Sequence, residues 1–575
     1  MSINSEVIGA IRKYALKNAV DYGKAHEGAV LNKVISLYPE HKSDIKLLAR
    51  EVAKIVAEVN SLEKGAMQSE YSKYASEFES EQRIKLEKTA KPNMELEGAA
   101  AGGFVTRYPP APNGYMHIGH AKAVFLESKF AEKYSGKLFL YFDDTNPEKD
   151  KQEFVDKFHD VLKWLRIKFD EEYYASDYMD KIYDCARVLL LNGDAYACKC
   201  TAEKIKEDRF NKRECEHRYA DPSSNAKEFG EMLNGRYGEN EIIIRFKGDM
   251  SADNTALRDP TLLRVKDAAH YRQGKKYRVW PTYDLNTPIM DSIHGVTDVL
   301  RSKEFELRDD LGKIILEKLN LRVPRIHSFS RLVIKDNITH KRELNALIKE
   351  GNIKGFDDPR LVTIVALRKR GITPDAIRNF VLKLGMTKTD GIVSIDALLA
   401  ENKKIIDPAS KHLFFVSDPV KVTVKGADPA DVKIRLHPSK DFGFREYSVS
   451  DTFFIAKDDA QSMNEEETIR LKDLMDIKIA SKKSEAITSY KSEGSSRNKV
   501  IQWVPAANYT ECTVLIPENP VDDKGQFNHD SLKTVKGYAE DYVNKLNEHE
   551  IIQFERFGYC ILDKKEQKEF IFTQK

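Results

Sequence analysis

Apolar residues recur at helical spacing through the first part of the chain: Ile8, Ile11, Ala15 and Leu16, then Val30, Leu31, Val34 and Ile35, then Leu47, Leu48, Val52, Ile55 and Val56. Such spacing gathers them on one face, so residues 1–90 predict a packed amphipathic helical module. Glu63 to Lys88 is densely charged and reads as a solvated helix or linker. Pro92 and the run Gly98-Ala99-Ala100-Ala101-Gly102-Gly103 mark a boundary. Beyond it the pattern changes. An apolar run ending in Phe104-Val105 predicts a buried strand, a Pro/Gly turn follows, and Val124, Phe125, Phe130 and Ala131 restore helical spacing. Lys137-Leu138-Phe139-Leu140-Tyr141-Phe142 predicts a second strand, and Ile242–Phe246 and Leu262–Val265 alternate in strand fashion.

From about residue 395 period two takes over. Phe414–Val416, Val420–Val424, Val432–Leu436, Val500–Val504, Thr513–Ile516, Ile551–Phe554 and Phe570–Phe572 read as strands. A C-terminal third so rich in strands predicts one or two β-barrels. Lys482 to Lys499, rich in Ser, Glu, Gly and Lys, reads as a mobile loop.

Length turns this pattern into several domains, since 575 residues exceed what one core holds. Lys+Arg 93 against Asp+Glu 91 leaves the protein near neutral, so any basic surface is local. No window of about 18 apolar residues predicts a membrane span, and Met1–Glu6 lacks the apolar core of a secretion signal. Six cysteines in so long a chain fit a reduced, cytoplasmic protein rather than a disulfide scaffold.

The stretch Thr106-Arg107-Tyr108-Pro109-Pro110-Ala111-Pro112-Asn113-Gly114-Tyr115-Met116-His117-Ile118-Gly119-His120 joins strand, turn and helix start. Unpaired N–H groups and the positive dipole end accept phosphate there, and His117 and His120, three residues apart, can face one anion. Surface polarity or a partial metal site is the bland alternative for His-x-x-His; the Pro-Pro-x-Pro-Asn-Gly lead-in sets this one apart. Asp143-Asp144-Thr145-Asn146-Pro147 follows the second strand, where an open α/β sheet lines its ligand crevice; it also suits a helix cap before Glu148. Cys198, Cys200, Cys215 and His217 lie within 20 residues. Three thiolates and an imidazole can close a tetrahedral structural zinc site, and scattered cysteines are the alternative.

The lead-in with its two histidines resembles the nucleotide-binding motif of class I aminoacyl-tRNA synthetases, glutamyl/glutaminyl subgroup. The string ending Phe142-Asp143-Asp144-Thr145-Asn146-Pro147 resembles the same subgroup, as do Asn254–Pro260, Val279–Asn286, Asp291–Phe305, Pro324–Leu332, Ile338–Leu344, Gly355–Leu361 and Arg370–Arg378. The resemblance covers residues 100–575 and is most specific between 104 and 378. Together with the N-terminal helical extension read from periodicity (1–95), it implies a multidomain α/β protein: a Rossmann-like catalytic domain in two halves (96–194 and 296–345), an acceptor-end-binding insertion with a zinc knuckle (195–295), a helical connector (346–400) and a β-barrel anticodon-binding region (401–575).

What the resemblance implies about chemistry is equally specific. ATP would activate glutamate as an adenylate, and the glutamyl group would pass to the terminal adenosine of tRNA(Glu), with tRNA(Gln) left open as a second acceptor. His117, His120 and Lys341 would be catalytic. Pro110, Gly119 and Arg342 would join them around ATP, Gly119 by letting adenine pack on backbone. Mg²⁺ would bridge the ATP phosphates and rely little on protein ligands. Arg107, Asp143, Tyr283 and Arg301 would hold L-glutamate. Arg301 and Ala111 favour glutamate over glutamine, because the glutaminyl branch typically has an uncharged small residue and Glu there. The resemblance implies a monomer without a membrane partner. Two positions depart from the pattern: Tyr141 replaces a usual Arg, and His340 replaces the Ser before Lys341, with Lys335 as a nearby rival lysine. The competing readings are a glutaminyl enzyme, a catalytically inactive tRNA-binding protein and, more weakly, a small-molecule nucleotidyltransferase.

Overall fold

The structure, a computed structural model, describes residues 5–38, 44–74, 94–338, 341–483, 486–492, 499–522 and 525–575. Two compact units divide the chain, Met1–Lys91 and Pro92–Lys575.

In the first unit, helices Ser5–Tyr22, Glu27–Leu37, Ile45–Asn60 and Lys64–Ser72 enclose a core of Val7, Ile11, Ala15, Leu16, Val30, Val34, Leu48, Val52, Ile55 and Val56. The expected register is off by one residue at its start: Val7 is buried and Ile8 is 40% exposed. Val7, Ile11 and Ala15 are four apart and share a face, whereas Ile8 sits about 100° around the helix. Of the charged stretch Glu63–Lys88, residues 64–72 are helical, and its remainder from 75 onward lies outside the described residues.

The second unit is built on parallel strands β1 (Val105–Tyr108), β2 (Lys137–Phe142) and β3 (Glu171–Tyr174). Four antiparallel strands between Ala195 and Pro281, β4 to β7, are inserted after β3; β8 (Asp298–Ser302) pairs in parallel with β9 (Arg325–Phe329). Thr297, just before β8, donates its N–H to Val105 O at 2.9 Å, and its hydroxyl meets Val105 N at 2.8 Å. The spatial order is therefore β3-β2-β1-β8-β9, with the reversal between β1 and β8. Ligands bind at such a switch point, outside the carboxyl ends of the strands. β1 runs further than the apolar pattern predicts, so Arg107 lies inside the strand and is buried.

The insertion is an antiparallel sheet of β4 (Ala195–Cys198), β5 (Ile243–Phe246), β6 (Thr261–Val265) and β7 (Val279–Pro281). Its inner residues share one core with helices Met179–Leu191, Tyr283–Ile293 and Asp309–Lys318. The helix Ile395–Ile406 crosses position 400, and the β region begins later, at Lys411.

Two seven-stranded sheets and a separate two-stranded hairpin, Ala430–Arg435 with Phe444–Val449, form that region. The first takes its strands from both ends, 411–417 and 509–574; the second comes from the middle, 420–505. The run Val500–Val504 is not one strand. It is split into Lys499–Ile501 and Val504–Pro505 by Trp503, which is fully buried and donates from its indole to Lys472 O at 2.8 Å. The expected loop Lys482–Lys499 contains a strand, Ala486–Ser492, central to the second sheet; residues 484–485 and 493–498 of that stretch lie outside the described residues. Polar residues hid this strand because its outer face is solvated.

Candidate active site

The helix Ile118–Lys133 opens at the carboxyl end of β1 with His117 as its N-cap. Its first turn is closed by the two imidazoles reciprocally. His117 Nδ1 accepts the Gly119 N–H at 3.1 Å, and His120 Nδ1 accepts the His117 N–H at 3.2 Å. The rings stack with centroids 3.8 Å apart. A backbone N–H can only donate, so each Nδ1 must be bare and each neutral ring carries its proton on Nε2. Burial, and then the neighbouring His117, push the His120 pKa well below its ordinary value, which keeps it neutral. Each ring therefore carries its N–H on Nε2. A Cβ on Gly119 would lie 2.9 Å from His117 Cε1. In this fold, the glycine thus makes room for the histidine ring itself.

Both histidines line a cavity of about 320 Å³ with Ala111, Asn113, Gly114, Arg331, Lys341 and Thr363. The Lys341 side chain lies along Gly114, whose added Cβ would sit 3.4 Å from Lys341 Cδ, and Nζ is 5.2 Å from the Phe154 ring centre. Burial, and then Lys149, lower its pKa, while Asp150 opposes them. Lys335 is two-thirds exposed and pairs with Asp336 instead. Arg342 is exposed and is not among the residues that line this cavity, and His340 lies outside the described residues. Pro110 does not line the cavity either: it is buried, and its carbonyl accepts the Asp143 N–H at 3.0 Å, tying the end of β1 to the end of β2.

A second cavity of about 580 Å³ shares Ala111 and Asn113 with the first. Asp143, Asp150, Arg209, Arg264, Tyr283 and Arg308 line it. Asp143 Oδ1 accepts from Asn286 Nδ2 at 2.8 Å and from the Thr145 hydroxyl at 3.0 Å. Asn286 Nδ2 also donates to the Tyr141 hydroxyl at 2.6 Å, so Tyr141, the departure from the family pattern, holds the residue that holds Asp143. Burial raises the Asp143 pKa to about 6, against those two hydrogen bonds; it raises Asp144 and Asp150 to about 7.

Tyr283 continues into a small recess lined also by Asp291 and Arg301. Arg301 donates to the Tyr283 hydroxyl at 3.3 Å and pairs with Asp309, and its Nε is buried with no partner among the described residues. Arg107 lines none of these cavities. It is 2% exposed and grips Asp291 with Nε at 2.6 Å and a second nitrogen at 3.1 Å. Its third nitrogen has no partner among the described residues. Burial alone would lower its pKa, but Asp291 more than offsets this and holds the guanidinium charged.

Cys198, Cys200, Cys215 and His217 converge in the insertion, their ligand atoms all within 4.8 Å of one another. Cys198 Sγ is 3.7 Å from Cys215 Sγ, Cys200 Sγ is 3.4 Å from it, and His217 Nδ1 is 3.2 Å from Cys215 Sγ. Thiolates bound tetrahedrally at about 2.3 Å lie roughly 3.8 Å apart, so the donor set fits a zinc ion. Buried Arg245 donates to Cys198 Sγ at 3.9 Å, which offsets negative charge there.

Sequence reasoning gave no role to Arg331, Arg209, Arg264, Arg308 or Asp150. Arg331 follows the carboxyl end of β9, a position at the crevice edge that could have singled it out. The others come from the insertion, the following loops and a helix approach, and no local pattern marks them.

A family model described as tRNA synthetases class I (E and Q), catalytic domain, matches residues 104–408. Two models for the anticodon-binding domain of the same group match residues 410–493 and 500–563. The glutamate–tRNA ligase of Nitrosopumilus maritimus (strain SCM1) is 40% identical over 576 residues, covering 100% of both chains. That of Cenarchaeum symbiosum (strain A) is 38% identical, covering 99% of this chain and 100% of its own. Among solved structures, the glutamate–tRNA synthetase of Elizabethkingia anophelis aligns at 20% identity with a TM-score of 0.40, covering 52% of this chain and 70% of that one.

Proposed function

The chain belongs to the glutamyl/glutaminyl group of class I tRNA synthetases, and from that premise we propose that it is a glutamate–tRNA ligase whose two substrate seats meet at Ala111 and Asn113. The α-carboxylate of glutamate attacks the α-phosphorus of ATP, and the bond to the departing pyrophosphate breaks, leaving glutamyl-adenylate. A ribose hydroxyl of the terminal tRNA adenosine then attacks the activated carbonyl, and AMP leaves with the bonding electron pair. Catalysis of the first step is mostly positioning plus stabilisation of spread negative charge. His117 and His120 donate their Nε2–H groups to the phosphates. Lys341, across the same cavity, faces the pyrophosphate with its ammonium group. Mg²⁺ travels with ATP and supplies further charge neutralisation on the phosphates.

Glutamate binding falls to the adjoining cleft and recess. Arg301 presents its buried, unpartnered Nε to the side-chain carboxylate, with Tyr283 fixing the guanidinium. Arg107 orders Asp291 beside it and holds one further donor in reserve. Asp143 takes the ammonium group. The observation that carries the reading is this adjacency: neutral histidine donors and a lysine on one side of Ala111, guanidinium donors on the other. Ala111 brings no charge between them, as a glutamate there would. Cys198, Cys200, Cys215 and His217 hold a structural zinc that stiffens the insertion facing the acceptor end.

The test charges purified tRNA(Glu) and tRNA(Gln) separately with labelled glutamate or glutamine. Glutamate on tRNA(Glu) is expected. Charging with glutamine alone would refute the ligase assignment, and charging with neither would leave an inactive RNA-binding protein. Glutamate on both tRNAs would extend the assignment to tRNA(Gln). The same preparation is expected to carry about one zinc per chain by elemental analysis; a far lower value would remove the zinc.

A further inference from the structure

The second C-terminal sheet is buried on one face and open on the other. Along its strand Ala486–Ser492, Ile487 and Ser489 are buried, and Tyr490 is 49% exposed. Pairing in the sheet sets the neighbours of Tyr490. On one side it stands opposite Lys425 of the parallel strand Val420–Lys425. On the other it stands opposite Lys478 of the antiparallel strand Met475–Lys482. Partners in register project from the same face, so the three side chains form one row, lysine–tyrosine–lysine, across adjacent strands. Lys425 Nζ is 5.6 Å from the Tyr490 ring centre. Among the described residues Lys478 is tied at 2.6 Å to Glu466, whose side chain is 74% exposed. An ion pair so open to water is weak and leaves the lysine available to a stronger anion. At the next register level Arg470 stands beside Asp476 and beside Val500, which is 42% exposed.

A single exposed tyrosine is ordinary on a protein surface. A tyrosine with a cation on each flanking strand is a different object. Its ring offers a flat face to an unpaired base, and the lysines meet the phosphates on either side. An acidic or apolar peptide would use only part of the row; a duplex, whose bases are already stacked, would leave the ring idle. We propose that Tyr490, flanked by Lys425 and Lys478, is the platform on which an unpaired base of the tRNA anticodon loop stacks. All three residues lie in the segment matched by the anticodon-binding model, residues 410–493. The inference rests on the tRNA-ligase reading for its occupant and deepens that reading by naming the contacts.

The experiment uses the full chain and two RNA probes, an anticodon stem-loop of tRNA(Glu) and a blunt duplex of equal phosphate number. Wild type is expected to bind the stem-loop more tightly. Tyr490→Ala is expected to weaken stem-loop binding about tenfold and leave the duplex unchanged. Tyr490→Phe, which keeps the ring, is expected to restore it. Lys425→Ala and Lys478→Ala are each expected to flatten the salt dependence of stem-loop binding by a slope of about 0.7. In charging, Tyr490→Ala is expected to raise the KM for tRNA with kcat kept. Stem-loop binding unchanged in Tyr490→Ala overturns the proposal. So does Tyr490→Phe as weak as Tyr490→Ala, an equal loss on the duplex, or a wild type that prefers the duplex. If the wild type charges no tRNA yet shows the tyrosine pattern, the ligase reading fails and the platform stands; normal charging with an indifferent Tyr490→Ala gives the reverse.

Discussion

Among the arginines buried against carboxylates, Arg107 and Arg445 lie one in each half of the second unit. Arg107 meets Asp291, with side chains 2% and 4% exposed; Arg445 meets Glu540, with both at 0%. Arg445 serves structure with two of its nitrogens: Nε reaches Glu540 at 2.9 Å, and another donates to the carbonyls of His412 and Arg435. Its third lies 3.9 Å from Glu555 and makes no hydrogen bond among the described residues. Tyr447 donates to the same Glu540 at 3.0 Å. Arg107 likewise keeps one nitrogen without a hydrogen bond among the described residues, but its carboxylate partner lines a cavity. The chemistry of the two pairs is alike. What differs is the surroundings: strands close around Arg445, while the open switch point of a parallel sheet lies beside Arg107. A buried ion pair by itself is weak grounds for either stability or function; an unfilled donor beside a cavity points to a ligand.

That contrast breaks or holds under mutation. Arg445→Ala and Arg107→Ala should each destabilise the fold by about 3–5 kcal/mol, because each strands a buried carboxylate. Replacing both partners by methionine separates them. Arg445→Met with Glu540→Met should recover most of the stability in denaturant titrations and keep charging activity. Arg107→Met with Asp291→Met should recover stability and still charge poorly. Full activity in the second double variant would make Arg107 a structural residue like Arg445.

Lys341→Ala should come next in size. Loss of one preorganised charge at the phosphates costs about 10²–10³ in kcat, with the KM for glutamate little changed, since glutamate sits beyond Ala111. Single-turnover adenylate formation reads the chemical step, and an unchanged rate would take Lys341 out of catalysis.

The smallest effect concerns Asp143. Its pKa is raised to about 6, so the carboxylate is charged above that pH and neutral below it. Holding an ammonium group needs the charged form. The KM for glutamate should therefore be flat above pH 6 and rise about tenfold per unit below it. His120 stays neutral throughout this range, whereas Asp144 and Asp150, raised to about 7, titrate nearby. Asp143→Asn should raise the KM and abolish the acidic rise; a rise that persists in this variant would reassign it to those neighbours.

Local rules carried the sequence reading far. Periodicity marked the N-terminal helices and most C-terminal strands, because one buried face imposes a fixed repeat on any helix or strand. The Pro/Gly turn, the paired histidines and the four zinc-type ligands were legible because each group lies close in the chain, where spacing alone sets geometry. Three things belonged to the tertiary structure. The proton positions on His117 and His120 follow from backbone donors that only the folded turn aims at them. The seats around Ala111 draw on Asp143, Tyr283, Arg301 and Lys341, which the chain separates and the parallel sheet reunites at one switch point. Trp503 and Tyr490 obeyed partners rather than pattern: an indole needing a buried acceptor split one strand, and a strand with a solvated face was read as a loop. Sequence determines which side chains are available and which faces must be hidden. Only packing decides which donors remain unfilled, and the proposed chemistry rests on those.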